Sequence, residues 1–376
     1  MVAPSYDIIT VGGGIAGSSL ALAMAGRGAK VLVLEREKQF KDRVRGEALV
    51  PWGVAEASEL GIYDLLKERC AHDVPYVEGG SGLRDLRATT PQQSPLLSFP
   101  HHVMQETLLA AAENAGAEVR RGVTVERIET GAEPTVFVNG HSHERICARL
   151  VVAADGRGSA VRKWAGFSVC EQINGLYMAG VMLTNIPAPP ETIYAVFNPE
   201  LGTWVGLIPQ ANGRFRAYFV YPKTMGYRLQ GESMLGQFFR ESAKGYAPLA
   251  DFYAGARSSG PLASFDARDD WVEHPYRDGV ALAGDAAATT DPTYGQGLSF
   301  ALLAARVLRD ELTKDSDWEA AGHRYADQHQ RCFRACHSVE GCYAPFFKIR
   351  LRKQRHCGRE PCPGLAKIPR AFLIIL

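Results

Sequence analysis

Short apolar runs and glycine-rich turns alternate near the start of the chain. Residues 6–11 are mostly apolar, rich in β-branched side chains and followed at once by glycine, which predicts a buried parallel strand. Residues 15–27 carry apolar side chains at helical spacing, and residues 30–35 predict a second buried strand. The glycines and serines of the uncharged stretch 8–26 favour a strand, a loop and a helix over a membrane span.

Two later segments repeat the order of a buried strand followed by a glycine-containing loop. Residues 150–154 predict a strand that leads into the sequence DGRGSAVR at 155–162. Residues 279–283 predict a strand before GDAA, and DPTYGQG at 291–297 then precedes a run with apolar residues at helical spacing.

The region 171–265 has a different pattern. Residues 191–198, 203–209 and 214–222 predict three strands, and the ANG sequence between the last two is a strong hairpin signal. Successive hairpins predict an antiparallel sheet. Its many aromatic residues indicate either core packing or an apolar cavity.

The composition is that of an ordinary globular protein of 376 residues, which suggests about two domains. A formal net charge of +1 argues against a general electrostatic attraction to nucleic acid. No secretory signal precedes the eight cysteines, so we expect reduced thiols and a cytoplasmic location. The cysteine spacing near the C-terminus does not match a paired zinc motif, and we expect no metal.

The sequence GGGIAG at 12–17 lies between the first predicted strand and the first helix. In such a turn Gly12 permits a tight exit from the strand, Gly14 lets the backbone approach a pyrophosphate, and Gly17 lets helix and sheet pack closely. The free N–H groups of the helix N-terminus favour phosphate binding. Glu35 ends the second strand at the spacing expected for an acid that binds an adenosine ribose, which disfavours NADP here.

Three motifs together carry a resemblance to a known family. The glycine pattern, the DGxxSxVR run at 155–162 and the late GD followed by PxxGQG resemble the p-hydroxybenzoate hydroxylase-like (group A) FAD-dependent monooxygenases. The resemblance covers most of residues 1–315, in the right order and spacing. It implies an α/β fold with a Rossmann-like FAD-binding domain, an inserted antiparallel-sheet substrate domain and a helical C-terminal tail.

The resemblance also implies which positions contact FAD. The ADP half is expected at the glycine turn, a ribityl hydroxyl at Asp285, and the isoalloxazine ring along residues 292–297. The cofactor-binding residues expected are Gly12, Gly14, Ile15, Ala16, Gly17, Glu35, Arg36, Arg45, Gln105, Val125, Asp155, Asp285, Pro292, Gly295, Gln296, Gly297 and Leu298.

The implied reaction inserts one oxygen atom of O2 into an apolar or aromatic small molecule through a flavin C4a-hydroperoxide. NADH or NADPH is expected as a transient reductant because the sequence has one dinucleotide fingerprint, or a separate flavin reductase supplies the electrons. Such chemistry needs an enclosed, dry site more than acids and bases, so no catalytic residue is predicted. His101 and His102 are expected to be surface or cap residues.

The aromatic residues predict the substrate pocket, although each could also belong to the core. Alternation along a strand places Trp204 and Ile208 on one face of the sheet. The substrate-binding residues expected are Trp204, Tyr218, Tyr177 and Tyr294.

Three alternatives remain open. A flavin-dependent halogenase shows the motif WxWxIP, whereas this chain has WVGLIP at 204–209 and no lysine between Glu68 and Pro100. The second alternative is a geranylgeranyl-type prenyl reductase, since RGEA at 45–48 occurs in both of these classes. The third is a flavoprotein without enzymatic activity that binds FAD as a structural or regulatory ligand.

The expected domain division interrupts the FAD-binding domain. That domain is expected to comprise residues 1–75, 100–170 and 266–330, with a substrate domain of 76–99 and 171–265 and a helical tail of 331–376. The basic run and the apolar end of the tail predict a helix docked on the core, or a peripheral contact of residues 345–376 with a membrane or a carrier protein.

Overall fold

The computed structural model describes residues 5–139 and 144–343. The strands are β1 (Tyr6–Val11), β2 (Val31–Glu35), β3 (Ala48–Leu49), β4 (His72–Val74), β5 (Tyr76–Glu78), β6 (Leu83–Asp85), β7 (Leu96–Ser98), β8 (Glu118–Arg121), β9 (Val125–Glu129), β10 (Thr135–Val138), β11 (Glu144–Ala153), β12 (Cys170–Thr184), β13 (Thr192–Asn198), β14 (Thr203–Gln210), β15 (Arg214–Pro222), β16 (Arg257–Ser258), β17 (Ala263–Trp271), β18 (Tyr276–Arg277), β19 (Val280–Leu282) and β20 (Ala288–Thr289).

The helices complete the description. They are α1 (Ile15–Ala25), α2 (Pro51–Glu59), α3 (Tyr63–Arg69), α4 (Leu86–Thr89), α5 (His101–Asn114), α6 (Ala160–Trp164), α7 (Leu235–Gly245), α8 (Leu249–Tyr253), α9 (Gly297–Lys314) and α10 (Trp318–Tyr343). Short 3-10 helices span Lys223–Met225, Glu232–Met234, Gly284–Ala286 and Pro292–Tyr294.

The first sheet is Rossmann-like. Strand β1 lies between β11 and β2 and is parallel to both, while β19 and β8 continue the parallel order on either side. Strands β1 and β2 are mostly apolar and are buried on both faces, because α1 and α5 cover one face of the sheet and a second apolar cluster covers the other. The predicted strand at 150–154 is the end of the longer β11.

The second sheet is largely antiparallel and follows the order β20-β17-β12-β15-β14-β13-β5-β6. One face carries Met178, Trp204 and Tyr218 toward the first sheet. The other face carries Phe219 and Tyr221, which pack in a separate cluster with α7 and α8. The predicted hairpins at 191–222 are confirmed as β13, β14 and β15.

The α/β fold class predicted from the sequence is confirmed, with a parallel sheet that carries the glycine turn and a separate antiparallel sheet. The domain division remains a proposal. Strand β17 crosses the predicted boundary at 265/266, because all of β17 belongs to the second sheet, where it pairs with β12.

Helix α10 packs against α9 and includes the first part of the predicted tail. Residues 344–376, with the predicted membrane or carrier-protein contact, lie outside the described residues. No helix in the described ranges is both long enough and apolar enough to cross a membrane.

Two glycines of α10 provide a matched test of its packing. A Cβ on Gly322 would lie 2.2 Å from the buried ring of Tyr276, whereas a Cβ on Gly341 meets nothing within 4 Å. Gly322→Ala is therefore expected to lower the free energy of unfolding by about 1–3 kcal/mol. Gly341→Ala is expected to be neutral or to stabilise by roughly 0.5–1 kcal/mol, because alanine is the better helix former. Urea unfolding of both variants checks this, and equal effects would contradict the packing described.

Candidate active site

The glycine turn brings three elements into unusually close contact. Gly12 has φ +103°, and a Cβ on it would lie 2.3 Å from the carbonyl oxygen of Ala154. A Cβ on Gly17 would lie 2.1 Å from the carbonyl oxygen of Gly12. Gly14 differs, because its nearest neighbour would be Nε2 of Gln105 at 3.8 Å. Gly12 and Gly17 therefore fix the turn, while Gly14 leaves bare backbone facing a cleft.

Glu35 is buried and supports the same turn. One carboxylate oxygen accepts a hydrogen bond from the N–H of Gly13 at 2.7 Å, and the other accepts from the N–H of Glu37 at 2.8 Å. Sequence reasoning placed Glu35 at a ribose. The structure places it beside the cleft and gives it a second role in holding the glycine turn, which the spacing alone could not show.

A cavity of about 960 Å³ lies between the two sheets. It collects residues that are far apart in the sequence, and most of the positions expected to bind FAD line it. These positions are Gly12, Gly14, Ile15, Ala16, Glu35, Arg36, Arg45, Gln105, Val125, Asp155, Asp285, Pro292, Gly295, Gly297 and Leu298. Trp204, Tyr218 and Tyr294 line the same cavity.

Two of the expected cofactor residues do not line the cavity. Gly17 serves the packing of helix and sheet, as its spacing predicts. The side chain of Gln296 turns away, since it accepts a hydrogen bond from Nε1 of Trp52 at 2.7 Å and donates to the carbonyl oxygen of Tyr294 at 3.0 Å. Both ends of the Gln296 side-chain amide are thus engaged by the protein itself.

Tyr177, which was expected to bind substrate, does not line the cavity. Met178 lines the cavity, so its neighbour Tyr177 points to the opposite face of the sheet by strand alternation. There the Tyr177 ring lies 5.8 Å from the ring of Tyr221, and Nζ of Lys223 lies 4.8 Å from its centre.

Two aspartates, Asp155 and Asp285, line the cleft. One oxygen of Asp155 accepts from the N–H groups of Ala160 and Val161 at 2.8 and 3.2 Å, so this side chain caps α6. Its other oxygen is buried and accepts no hydrogen bond from the part of the chain described. Burial raises the pKa of Asp285, and the nearby Arg157 and Arg45 act against that rise.

These features fit FAD. The bare backbone at Gly14 and the N-terminus of α1 suit a pyrophosphate. The spare oxygen of Asp155 and the carboxyl group of Asp285 suit the hydroxyl donors of ribose and ribityl chains. Gly295 and Gly297 let backbone approach a flat ring.

A buried ion pair joins the second sheet to the loop that borders the cavity. Glu47 is 1% exposed and Arg216 is 2% exposed. Nε of Arg216 donates to both Glu47 oxygens at 3.0 Å, and Nη2 donates to Oε1 at 2.8 Å. Burial raises the pKa of Glu47 to about 7, although Arg216 opposes the rise.

The same loop is held at two further points. The hydroxyl of Tyr218 donates to the carbonyl oxygen of Arg45 at 2.5 Å. Nδ1 of His101 lies 2.7 Å from the carbonyl oxygen of Gly46, and burial lowers the pKa of His101 to about 4. His101 is thus neutral at pH 7, with its proton on Nδ1. It lies buried in the cavity wall, so the expectation of a surface or cap residue is wrong.

Sequence reasoning missed Glu47, Arg216 and His101. Glu47 and Arg216 are 169 positions apart, and no periodicity links them. The signal that was present is an arginine within an otherwise apolar strand pattern, since a buried arginine needs a partner.

The chain belongs to the FAD binding domain family, whose model matches residues 5–332. This is the p-hydroxybenzoate hydroxylase-like family, so the class of protein is that of the FAD-dependent monooxygenases.

Known proteins, most of them named as monooxygenases, resemble the chain along most of its length. It is 29% identical to rifampicin monooxygenase of Streptomyces venezuelae over 84% of this chain and 66% of that protein. It is 26% identical to the 1H-pyrrole-2-carbonyl-[peptidyl-carrier protein] chlorinase of Pseudomonas fluorescens, over 82% of this chain and 75% of that protein. The structure of p-nitrophenol 4-monooxygenase from Pseudomonas putida shares the fold, with a TM-score of 0.73, 21% identity and coverage of 91% and 87%.

Gly14→Ala tests the cofactor position. The added methyl group meets no atom of the chain closer than 3.8 Å, so the variant is expected to fold. The methyl group would occupy the space assigned to the pyrophosphate, and FAD affinity is expected to fall at least a hundredfold, or about 3 kcal/mol. Fluorescence titration of the apoprotein with FAD measures this. Gly255→Ala, at an exposed glycine with no neighbour within 4 Å, is the control. Full retention of FAD by Gly14→Ala would contradict the placement.

Glu47→Gln tests the buried carboxyl group. With a Glu47 pKa of about 7 against an ordinary 4.5, the folded chain holds more protons than the unfolded chain between these values. The wild-type free energy of unfolding therefore falls as the pH rises through this window. Glutamine does not titrate, so the advantage of wild type over the variant should shrink by up to about 3 kcal/mol between pH 4 and pH 8. Urea unfolding at both pH values measures it. An advantage that grows with pH would show that Arg216 keeps Glu47 ionised throughout.

Proposed function

We propose that this chain hydroxylates an aromatic or otherwise apolar small molecule with O2, taking electrons from NADH or NADPH. The observation that carries the proposal is the continuity of one cavity, in which the expected FAD positions lead directly into a chamber walled by apolar and aromatic side chains. The chamber wall comprises Met178, Ile193, Ala195, Phe197, Trp204, Ile208, Tyr218 and Phe265.

FAD supplies the activation of dioxygen when it is bound, and the chain supplies its position. The N-terminus of α1 would hold the phosphates, and Asp155 and Asp285 would accept hydrogen bonds from hydroxyl groups of the cofactor. Helix α9 begins at Gly297, so its positive end favours negative charge on a ring lying along residues 292–297. The Glu47–Arg216 pair would keep the loop of Arg45 and Gly46 fixed between the two sheets.

The chamber is built to exclude water and to hold a flat molecule. Trp204 is 7% exposed, and its ring lies edge-on to Phe197 with centroids 6.4 Å apart. Gly206 leaves space for the indole because it has no side chain, and a Cβ there would lie only 2.3 Å from the Trp204 ring. Exclusion of water would favour transfer of oxygen to the substrate over side reactions with water. The relatives whose names contain rifampicin, 6-methylpretetramide and p-nitrophenol support an aromatic substrate.

Halogenation is less well supported. The similarity to a chlorinase is an argument for halogenation. The halogenase motif, however, has a second tryptophan at the position that Gly206 occupies in this chain. In this structure the Trp204 ring already fills that space. Lys41 does line the cavity, but it belongs to the loop before Glu47 and not to the segment between Glu68 and Pro100, where a halogenase is expected to carry the lysine that relays a hypohalous acid.

The test uses purified FAD-loaded protein with NADH or NADPH and a panel of simple phenols and polycyclic phenols. Under 18O2 we expect one 18O atom in the product for each reduced nicotinamide consumed. Product formation that requires chloride or bromide would instead establish a halogenase. Reduction of a prenyl alkene without oxygen uptake would establish a reductase, and an FAD-loaded protein that neither NAD(P)H nor an added flavin reductase reduces would indicate a non-enzymatic flavoprotein.

Trp204→Leu is expected to separate substrate binding from cofactor binding. Loss of the indole removes chamber wall but leaves the FAD positions intact, so KM for the best substrate should rise at least tenfold and more reduced nicotinamide should be consumed per product. FAD affinity should stay within a factor of three. Tyr177→Leu is the matched control on the opposite face of the sheet, and we expect wild-type KM for it. Equal effects of the two variants on KM would contradict the proposed chamber.

A further inference from the structure

A second group of chemically reactive side chains lies outside the cavity, where α10 packs against β17. Asp269 comes from β17, while His337 and Glu340 share one face of α10, three residues apart. Ligand atoms of the three residues lie within 4.8 Å of one another. Nδ1 of His337 is 3.7 Å from Oδ2 of Asp269 and 3.9 Å from Oε2 of Glu340.

Glu340 is the unusual member of this group. It is 6% exposed, and both of its carboxylate oxygens are buried without a hydrogen bond from any described residue. Burial raises the pKa of Glu340, and the charges of Asp269 and Asp291 raise it further. Removing several carboxylates from water at one place is costly unless cations or protons balance them.

We propose that Asp269, His337 and Glu340 bind one divalent transition-metal cation of the Mn2+ or Zn2+ type. Two carboxylates and one neutral imidazole balance the charge of such a cation, and this oxygen and nitrogen set suits both metals. Two ligand atoms of a tetrahedral cation, each about 2.1 Å from it, lie about 3.4 Å apart. The distances of 3.7 and 3.9 Å from Nδ1 of His337 exceed that separation by about 0.5 Å or less, so small side-chain rotations would bring these atoms to ligand distance.

The site would fix the segment that borders the cavity. The N–H of Asp291 donates to Asp269, and one oxygen of Asp291 accepts from the N–H of Thr293 at 2.9 Å. The hydroxyl of Tyr294 donates to the carbonyl oxygen of Glu340 at 3.3 Å. A cation here therefore ties α10 and β17 to residues 291–294, and bound metal is expected to raise the melting temperature.

A surface pair of histidines is the competing binder. Nε2 of His274 lies 2.8 Å from Nδ1 of His323, with carboxylates of Asp327 and Glu319 at 3.6 and 3.3 Å from the remaining ring nitrogens. These groups are largely exposed and form no closed set of three ligands. They supply a matched control for any metal measurement.

The test uses the full chain after removal of metal with EDTA, titrated separately with MnCl2 and ZnCl2 in a calorimeter. We expect one cation per chain for at least one of the two metals, at least tenfold weaker binding in Glu340→Gln, and unchanged binding in His274→Gln. Absence of binding by wild type would overturn the proposal. Loss of binding in His274→Gln with retention in Glu340→Gln would assign the cation to the surface histidines and would also overturn it.

A spectroscopic measurement covers the case in which Glu340→Gln does not fold. Pulsed EPR of Mn2+ bound to the wild-type chain should show coupling to the nitrogen of one imidazole, and His337→Gln should lose it. A spectrum that His337→Gln leaves unchanged would exclude His337 as a ligand. None of these readouts depends on flavin chemistry, so their outcome is independent of the proposed function.

Discussion

The approach of β1, α1 and β11 at Gly12 and Gly17 leaves no room for a side chain, and the rest of the cofactor cleft is arranged around that contact. A Cβ at either position would overlap a carbonyl oxygen at little more than 2 Å. Because the backbones meet so closely, the N-terminus of α1 lies directly above the edge of the sheet. Glu35 then completes the turn by accepting the N–H of Gly13, and Gly14 is left facing the cleft. The phosphate binding proposed here would therefore depend on backbone geometry more than on any charged side chain.

The position of the second sheet relative to this cleft is fixed by the Glu47–Arg216 ion pair, which joins the sheet to the loop that borders the cavity. Arg216 and Tyr218 both belong to β15. Tyr218 lines the chamber, and its hydroxyl donates a hydrogen bond to the carbonyl oxygen of Arg45. Each charge of this buried pair has lost its water and interacts with the other charge instead. That exchange is favourable only if the hydrogen-bond geometry between Glu47 and Arg216 is kept. A movement of the sheet away from the loop would leave Arg216 without its partner. One loop therefore links the two parts of the cavity, the apolar chamber proposed for substrate and the positions proposed for the flavin.

Local patterns predicted much of this molecule, since the glycine turn, the buried strands and the three hairpin strands depend on residues close together in the sequence. Strand alternation placed Trp204 and Ile208 on one face of the sheet, and both residues line the cavity. Applied to Tyr177, the same rule needed to know which face of β12 met the first sheet, and the sequence contains no sign of that choice. Gln296 fits the family motif, but its side chain is taken by Trp52, a residue about 240 positions away. Pairs formed by folding, such as Glu47 with Arg216, lie beyond any periodicity.

The most direct measurement is a titration of the apoprotein with FAD, followed by its visible absorption spectrum and compared with FMN. The proposed FAD contacts are divided between the glycine turn and the region around Asp285, so we expect one FAD per chain and FMN binding at least a hundredfold weaker. A chain that takes up no FAD, or that binds FMN equally well, would contradict the central claim that this cleft holds an extended dinucleotide.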